Sequence, residues 1–220
     1  MNELLKMTAH QVKEGKFDKA ILAIGSCEAH GQHLAEGCDT IVSYELSKQV
    51  ADRVPGMLVL PPITVGYSGH YDTFPFTLTF DYETMIHVIY DIVESVLRNG
   101  INKIFLMNGH DGNIAPIEIA ARKIKEKYPD ARIASLPEWW VIAGKLVPEG
   151  TFAVWNGLGH AGEGETSIAY HLFPQWCEPD QATCVVPDHL PEHVDIKWDF
   201  AEITDTAQTG DAPVATAANG

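Results

Sequence analysis

The chain has 220 residues, of which 45% are hydrophobic and 20% are charged, and this predicts one well-filled domain over residues 1–220. Its 30 acidic and 15 basic residues give a formal net charge of −15 at pH 7, which disfavours binding to nucleic acid or to an anionic membrane. No apolar run approaches the roughly 20 residues that cross a bilayer, no signal-peptide pattern opens the chain, and the four scattered cysteines fit reduced thiols, so we expect a cytoplasmic protein.

Short apolar runs alternate with helical patterns along the chain. The predicted strands cover residues 20–25, 57–65, 103–107 and 131–136, and Pro61 and Pro62 are expected to break the second strand at its far end. The predicted helices cover residues 40–54, 82–99, 114–126 and 163–172. Strands alternating with helices of this length indicate βαβ units, and therefore an α/β fold, a three-layer α/β/α sandwich with a mainly parallel central sheet. Residues 66–80 are predicted to form an ordered loop, and the chain beyond Phe173 has no regular pattern.

Three polar clusters follow predicted strands or open a predicted helix. SCEAHGQH (26–33) follows the first strand, and NGHDGN (108–113) follows the third. HAGEGETS (160–167) leads into the last predicted helix and forms its first turn. In open α/β sheets, ligands bind where the loops at the carboxyl ends of the strands converge. The clusters are therefore the candidate functional site.

The first cluster contains side chains that suit divalent metals. Glu28 and His30 lie two residues apart in an extended segment, so both point to the same side, and Asp39 at a helix start can turn back toward them. Carboxylate and imidazole together suit zinc, manganese or ferrous iron, and a carboxylate can bridge two ions because it has two oxygens. We therefore expect a centre with two divalent ions.

Each cluster also has a structural interpretation. Asp39 is typical of a helix N-cap, NGHDGN is typical of turns, and Glu163 with Glu165 would complement a helix dipole. The coincidence of three clusters at equivalent positions favours a site. The remaining histidines are interpreted as surface or packing residues: His10, His87, His171, His189 and His193.

The same clusters resemble the creatininase (creatinine amidohydrolase) family. GSCEAHGQHLAEGCDT (25–40) is similar to the family pattern G-S-x-E-x-H-G-x-H-L-P-x-x-x-D-T. NGHDGN resembles N-G-H-G-G-N, and HAGEGETS resembles H-A-G-x-x-E-T-S. Weaker similarity in GYSGHYDTFPFTLTF (66–80) and TGDAPVATAANG (209–220) extends the resemblance from about Ile21 to the end.

The resemblance implies the ligands of two divalent ions, zinc, manganese or iron. Glu28 and His30 would each bind one ion, Asp39 would bridge the two, and His110 would complete the shell of the first. Glu165 would lie in or just behind the metal shell.

The resemblance also implies the residues that act on the substrate. His160 would lie near the scissile bond as a proton donor or substrate anchor, and His33 would orient a ligand or a bound water. Asn108, Trp139 and Trp140 are further candidates for substrate contact. The two tryptophans suit stacking on a planar substrate and packing in the core equally well.

The chain departs from the family pattern at several positions. Creatinine hydrolases proper carry a glutamate ligand two residues after the histidine matched by His110, whereas this chain has Gly112. We expect Glu165 or Glu163 to hold the second ion instead, and the change puts creatinine itself in doubt as the substrate.

Other departures concern the pocket wall and the chain end. Ala35 stands where the family usually has proline, and Phe76 where a glycine usually precedes Thr77. The family usually continues into a further helix beyond the position of Gly220, which predicts a truncated chain or a shortened edge.

The predicted reaction is the hydrolysis of a non-peptide C–N amide bond, cyclic or linear. A water between the two ions would supply hydroxide, and His160 or Glu163 would protonate the departing nitrogen. Alternatives within the family are a formylamino-pyrimidine ribotide deformylase and a peptide-trimming enzyme. An alternative of another class is a metal-binding or assembly subunit without turnover.

Relatives in the family form closed oligomers, often hexamers, so the resemblance implies a homo-oligomer. The apolar loop residues Tyr67, Tyr71, Phe74 and Phe76 are expected to be exposed, which is consistent with an interface.

Overall fold

The computed structural model describes residues 2–188 and 197–220, and the chain forms two compact units. The sheet unit comprises Met1–Ser26, Asp39–Tyr67 and Thr79–Trp139. The second unit comprises Cys27–Cys38, Ser68–Leu78 and Trp140–Gly220. That residues 1–220 act as a single domain stays a prediction.

The sheet unit alternates strands and helices. Its elements are α1 (Ala9–Glu14), β1 (Lys19–Ile24), α2 (Cys38–Arg53), β2 (Met57–Val59), α3 (Tyr82–Arg98), β3 (Lys103–Asn108), α4 (Ile114–Lys127) and β4 (Arg132–Leu136). The four strands are parallel and lie in the order β2-β1-β3-β4. The predicted α/β class and parallel sheet are therefore confirmed.

Helices cover both faces of this sheet. Along β1, Ala20, Leu22 and Ile24 belong to a core that includes α3 and α4, whereas Ile21 faces a second core with Ala51 of α2. Alternate residues of one strand thus enter two cores, which explains why β1 is a continuous apolar run and not an alternating one. The three layers expected from the sequence are present.

The second strand is shorter than predicted. β2 ends at Val59, whereas the apolar run continues to residue 65. Pro61 and Pro62 have no N–H to donate to a ladder, so regular pairing stops before them. Ile63 then returns to form an isolated bridge with Ile24.

The second unit contains less regular structure. It includes α5 (Trp139–Leu146, whose first residue belongs to the sheet unit), α6 (Glu163–Leu172), β5 (Cys184–Val185) and β6 (Gly210–Asp211). α6 has the predicted bounds, but α5 was not predicted, because its sequence WWVIAGKL is apolar almost throughout and has no helical period. β5 and β6 pair antiparallel. Within the described residues, no helix combines the length and apolarity that a bilayer span requires.

Candidate metal centre

In the sheet unit, the loop after β3 passes close to the start of α2. Ile24 of β1 pairs with Asn108 of β3, and the Gly109 N–H donates to the Ile24 carbonyl at 2.7 Å. A Cβ on Gly109 would lie 2.4 Å from the carbonyl oxygen of Asp39, so only glycine permits this approach. The glycine therefore brings His110 next to Asp39.

Asp39 and His110 form a buried pair. Asp39 Oδ2 lies 3.1 Å from His110 Nδ1 and accepts a hydrogen bond from Ser26 Oγ at 2.8 Å. His110 Nε2 donates to the Tyr67 carbonyl at 2.7 Å, because a carbonyl can only accept. In a neutral His110, the Nδ1 lone pair therefore faces a carboxylate oxygen, an arrangement that requires a proton or a cation between the two atoms.

Asn108 shapes the same turn. Its side-chain N–H groups donate to the carbonyls of His110 at 2.6 Å and Pro137 at 2.8 Å, and its oxygen accepts from the His110 N–H at 3.2 Å. Asn108 is completely buried and its amide holds the backbone around His110. Its contact with a substrate stays a prediction.

In the second unit, Glu28, His30 and His160 form a separate group. Each offers one ligand atom, and these atoms all lie within 4.8 Å of one another. The His30 and His160 rings are 4.2 Å apart. Glu28 and His30 are completely buried.

Backbone carbonyls fix the ring nitrogens in this group as well. His30 Nδ1 donates to the Glu28 carbonyl at 3.1 Å, and His160 Nε2 donates to the Ala29 carbonyl at 2.7 Å. The other nitrogen of each ring then carries the lone pair in the neutral form. His30 Nε2 and His160 Nδ1 are therefore the atoms that can bind an ion or accept a proton.

Aromatic rings surround His160. The rings of Tyr71 and Phe200 lie 4.5 Å and 5.1 Å from it, and Phe74 lies 6.4 Å from Phe200. The predicted exposure of Tyr71 is wrong, since it is 5% exposed because of this packing. Tyr67 and Phe74 are half-buried, and Phe76 is 86% exposed.

The two glutamates of the third cluster both accept hydrogen bonds from backbone groups. Buried Glu163 accepts from the Ala153 N–H at 2.7 Å, and Glu165 accepts from the Ala161 N–H at 2.7 Å through Oε2. Neither has a ligand atom in the group formed by Glu28, His30 and His160 among the described residues. The catalytic role expected for Glu163 and the metal role expected for Glu165 stay predictions.

His33 is buried away from solvent and is bonded to α6. Its Nε2 lies 2.8 Å from Thr166 Oγ1. Burial, with a further contribution from the nearby His30, lowers the pKa of His33 to about 4. The ring is therefore neutral at pH 7.

The remaining predicted residues take different positions. Trp139 is buried and Trp140 is half-buried, and the contact of either with a substrate stays a prediction. The expected surface histidines His10, His87 and His171 are exposed, whereas His189 and His193 lie outside the described residues.

Sequence reasoning did not single out Ser26, Glu36 or Thr166. Ser26 and Thr166 lie inside the motifs, and their signal is a hydroxyl beside a candidate ligand. Glu36 Oε2 is a buried carboxylate oxygen with no hydrogen-bond partner in the described part of the chain. Burial raises the pKa of Glu36, His30 opposes the rise and Glu28 adds to it. Glu36 occupies a variable position of the family pattern quoted for residues 25–40, so the pattern gives no signal for it.

Comparison with known proteins identifies the family. Residues 5–220 match the sequence model of the family described as "Creatininase: Creatinine amidohydrolase". The chain belongs to the creatininase family. It is thus a creatininase-family hydrolase, and the resemblance seen in the three motifs is confirmed.

Sequence relatives in the creatininase family have two different names. "Creatinine amidohydrolase" of Pseudomonas putida is 31% identical over 186 residues, which cover 78% of this chain and 69% of that protein. "Mycofactocin precursor peptide peptidase" of Mycobacterium ulcerans (strain Agy99) is 26% identical over 230 residues, which cover 100% of this chain and 85% of that protein. The family is therefore established, whereas the relatives differ in substrate.

Solved creatininase structures share the fold. A structure described as "Creatininase Mn" has a TM-score of 0.80 at 26% identity and covers 99% of this chain and 91% of that chain. A glutamate-to-glutamine mutant described as "Zn-Zn type" has a TM-score of 0.79 at 27% identity, with 99% and 90% coverage. The same mutant "complexed with creatine" has a TM-score of 0.81 at 26% identity, with 99% and 90% coverage.

Proposed function

We propose that this protein is a metal-dependent amidohydrolase that cleaves a non-peptide C–N amide bond, cyclic or linear, with two divalent ions per chain. One observation carries the proposal. His30, His110 and His160 each donate one ring N–H to a backbone carbonyl, so the other nitrogen of each neutral ring carries the lone pair with which an imidazole binds an ion. Metal-binding histidines are held in this way by hydrogen bonds from the second nitrogen.

The donor set fits zinc or manganese. In the proposed assignment Glu28, His30, Asp39 and His110 would hold the ions. Ligand atoms on one Zn²⁺ at about 2.0–2.2 Å lie roughly 3.0–3.5 Å apart. The 3.1 Å between Asp39 Oδ2 and His110 Nδ1 falls in this range.

His160 would transfer the proton that hydrolysis moves from the attacking water to the departing nitrogen. Bound divalent ions lower the pKa of water and polarise a carbonyl. His160 Nδ1 is the nitrogen that can take a proton from the attacking water and return it to the departing nitrogen. Tyr71 and Phe200 pack on the His160 ring, and Trp140 would contact the substrate.

The distribution of charge opposes a phosphorylated substrate. The second unit contains 15 acidic residues but only two basic residues, Lys145 and Lys197. Such an excess of negative charge repels an anion and lowers its rate of encounter. The ribotide deformylase alternative is therefore disfavoured.

A peptide-trimming activity is the second candidate. It is favoured by the relatives named mycofactocin precursor peptide peptidase, one of which aligns with the whole of this chain. Gly112, in place of the glutamate ligand expected of creatinine hydrolases, also separates this chain from the creatinine-specific pattern.

The first test is metal content. We expect close to two ions per chain by plasma mass spectrometry on protein purified without chelator. Asp39→Asn should lose at least one of them, because it removes one charge from the bridging carboxylate. Asp111→Asn is the matched control, since Asp111 is an exposed acid in the loop next to His110, and it should keep both ions.

The second test is turnover. The metal-loaded protein is incubated with creatinine, linear ureido and formyl amides, and short peptides, and new amines are quantified. Release of amine from a non-peptide amide supports the proposal, and release from peptides alone supports the second candidate. Two bound ions with no turnover of any amide would instead favour a metal-binding subunit.

A further inference from the structure

The turn that carries His160 contains a residue in the left-handed conformation. Ala161 has a φ of +49° and is completely buried. A Cβ in this region crowds the backbone, so the conformation is unfavourable for every residue except glycine. It persists only where the surrounding structure holds it.

Both peptide groups of Ala161 are bound by side chains from α6. The Ala161 N–H donates to Glu165 Oε2 at 2.7 Å, and the Ala161 carbonyl accepts from Thr166 Oγ1 at 3.1 Å. Glu165 and Thr166 are consecutive residues near the start of α6. One helical turn therefore holds Ala161 from both sides.

His33 fixes the direction of the Thr166 hydroxyl. A hydroxyl has one proton, and in Thr166 this proton goes to the Ala161 carbonyl, so the oxygen accepts from His33 Nε2 at 2.8 Å. His33 is 1% exposed, and its Nδ1 has no hydrogen-bond partner among the residues described. A neutral imidazole with its proton on Nε2 satisfies these contacts.

We infer that Glu165, Thr166 and His33 are positioning residues that hold Ala161 in its left-handed conformation and so fix the ring of His160. Any rotation about Ala161 would shift the adjoining peptide of His160, whose Nε2 is bonded to the Ala29 carbonyl and whose ring lies against His30. The task of His160 in catalysis rests on the proposed function. The inference gives Glu165 a role other than binding an ion.

The first test compares two substitutions of Thr166. Thr166→Val keeps the shape of the side chain without its hydroxyl, and Thr166→Ser keeps the hydroxyl. In metal-free protein with ¹⁵N-labelled histidine, we expect T166V to shift or lose the His160 Nε2–H resonance and T166S to preserve it. The resonance is assigned by its loss in His160→Gln, and an unchanged resonance in folded T166V would overturn the inference.

Activity provides a second readout. In the metal-loaded enzyme, T166V should lower kcat about 10- to 100-fold with KM within about twofold, because a displaced catalytic group loses rate more than binding. T166S should restore the rate. Metal-loaded wild-type protein without turnover would contradict the proposed function, whereas the resonance test on metal-free protein would still decide the inference.

A variant of Glu165 separates positioning from metal binding. Glu165→Gln keeps an oxygen that can accept from the Ala161 N–H, so a positioning role predicts the same number of ions per chain as in the wild type. Loss of one ion per chain in E165Q would show that Glu165 is a ligand and would overturn its assignment here.

The final control replaces the left-handed residue itself. Because it measures Tm, it also gives a result if T166V is too unstable for the other tests. Ala161→Gly accepts this conformation without the Cβ contact. We expect the fall in Tm caused by T166V to be at least halved in the A161G background. An equal fall in both backgrounds would contradict the inference.

Discussion

At the scale of single residues, burial sets the protonation of His33. The folded chain lowers the pKa of His33 to about 4, mainly because burial disfavours the charged ring. In the unfolded chain the pKa returns to about 6.5. At pH values between these two pKa values, His33 is protonated in the unfolded chain but neutral in the folded chain. The free energy of unfolding therefore decreases as the pH falls.

His33→Gln should remove this pH dependence. For the wild type, the His33 contribution lowers the free energy of unfolding by about 2 kcal/mol between pH 7 and pH 5, and above pH 7 it is constant. Urea unfolding of both proteins at the two pH values, with equal metal content, measures the difference. His87→Gln, at an exposed histidine, should retain the wild-type slope, and an equal slope in H33Q would contradict the prediction.

At the scale of elements, α3 is defined at its start by a capping residue. Asp81 precedes the helix and its carboxylate accepts from the Thr84 N–H at 2.6 Å, which lowers the pKa of Asp81. Met85, Ile89 and Val93 on the buried face then join the core of the sheet. The cap and the apolar face together fix where the helix starts and which side packs.

Asp81→Ala should destabilise the protein by about 1 kcal/mol, because the first turn of α3 loses a hydrogen-bond acceptor for its free N–H groups. Asp91→Ala is the control, since Asp91 is an exposed acid within the same helix. Chemical denaturation compares the two variants with the wild type. Equal stability of D81A and D91A would show that the cap contributes nothing measurable.

A carboxylate of α3 adds a polar link between α3 and the C-terminal end of α4, which also share the apolar core. Glu94 of α3 accepts hydrogen bonds from Lys127 Nζ at 2.7 Å and from the Tyr128 hydroxyl at 3.0 Å. These contacts lower the pKa of Glu94, with Lys127 the largest contribution. The link joins the two helices that cover one face of the sheet.

At the scale of the whole molecule, the net charge is unevenly distributed. The sheet unit has 15 acidic and 13 basic residues, so most of the charge of −15 belongs to the second unit. Glu28, His30 and His160 lie in that second unit. Its negative charge favours the binding of divalent cations there.

We expect the protein to form a closed homo-oligomer, with a hexamer favoured by the family resemblance. Phe76 is 86% exposed and Leu146 is 80% exposed, and an interface between copies would remove these apolar side chains from water. Light scattering after size-exclusion chromatography should give a mass several times that of one chain. A single species of 24.2 kDa would contradict the prediction.

The sequence by itself predicted the elements whose pattern is local. The apolar runs of β1 and β3 and the helical periods of α3, α4 and α6 have nearly the bounds expected, because burial on one or two faces leaves a period in the residues themselves. The motifs likewise identified the family, since they retain the side chains at fixed spacing. Local pattern identified the two prolines as a break in β2 but placed the end of the strand too late, and it failed for α5, which is apolar almost throughout.

Only the tertiary structure decided how the candidate ligands are held. The carbonyls of Glu28, Ala29 and Tyr67 select the ring nitrogens of the three histidines, and any residue type has such a carbonyl. The burial of Tyr71 and the bond between His33 and Thr166 similarly depend on segments far apart in the chain. Backbone partners have no signature in the sequence, because their position depends on the path of the folded chain and not on the identity of the side chain.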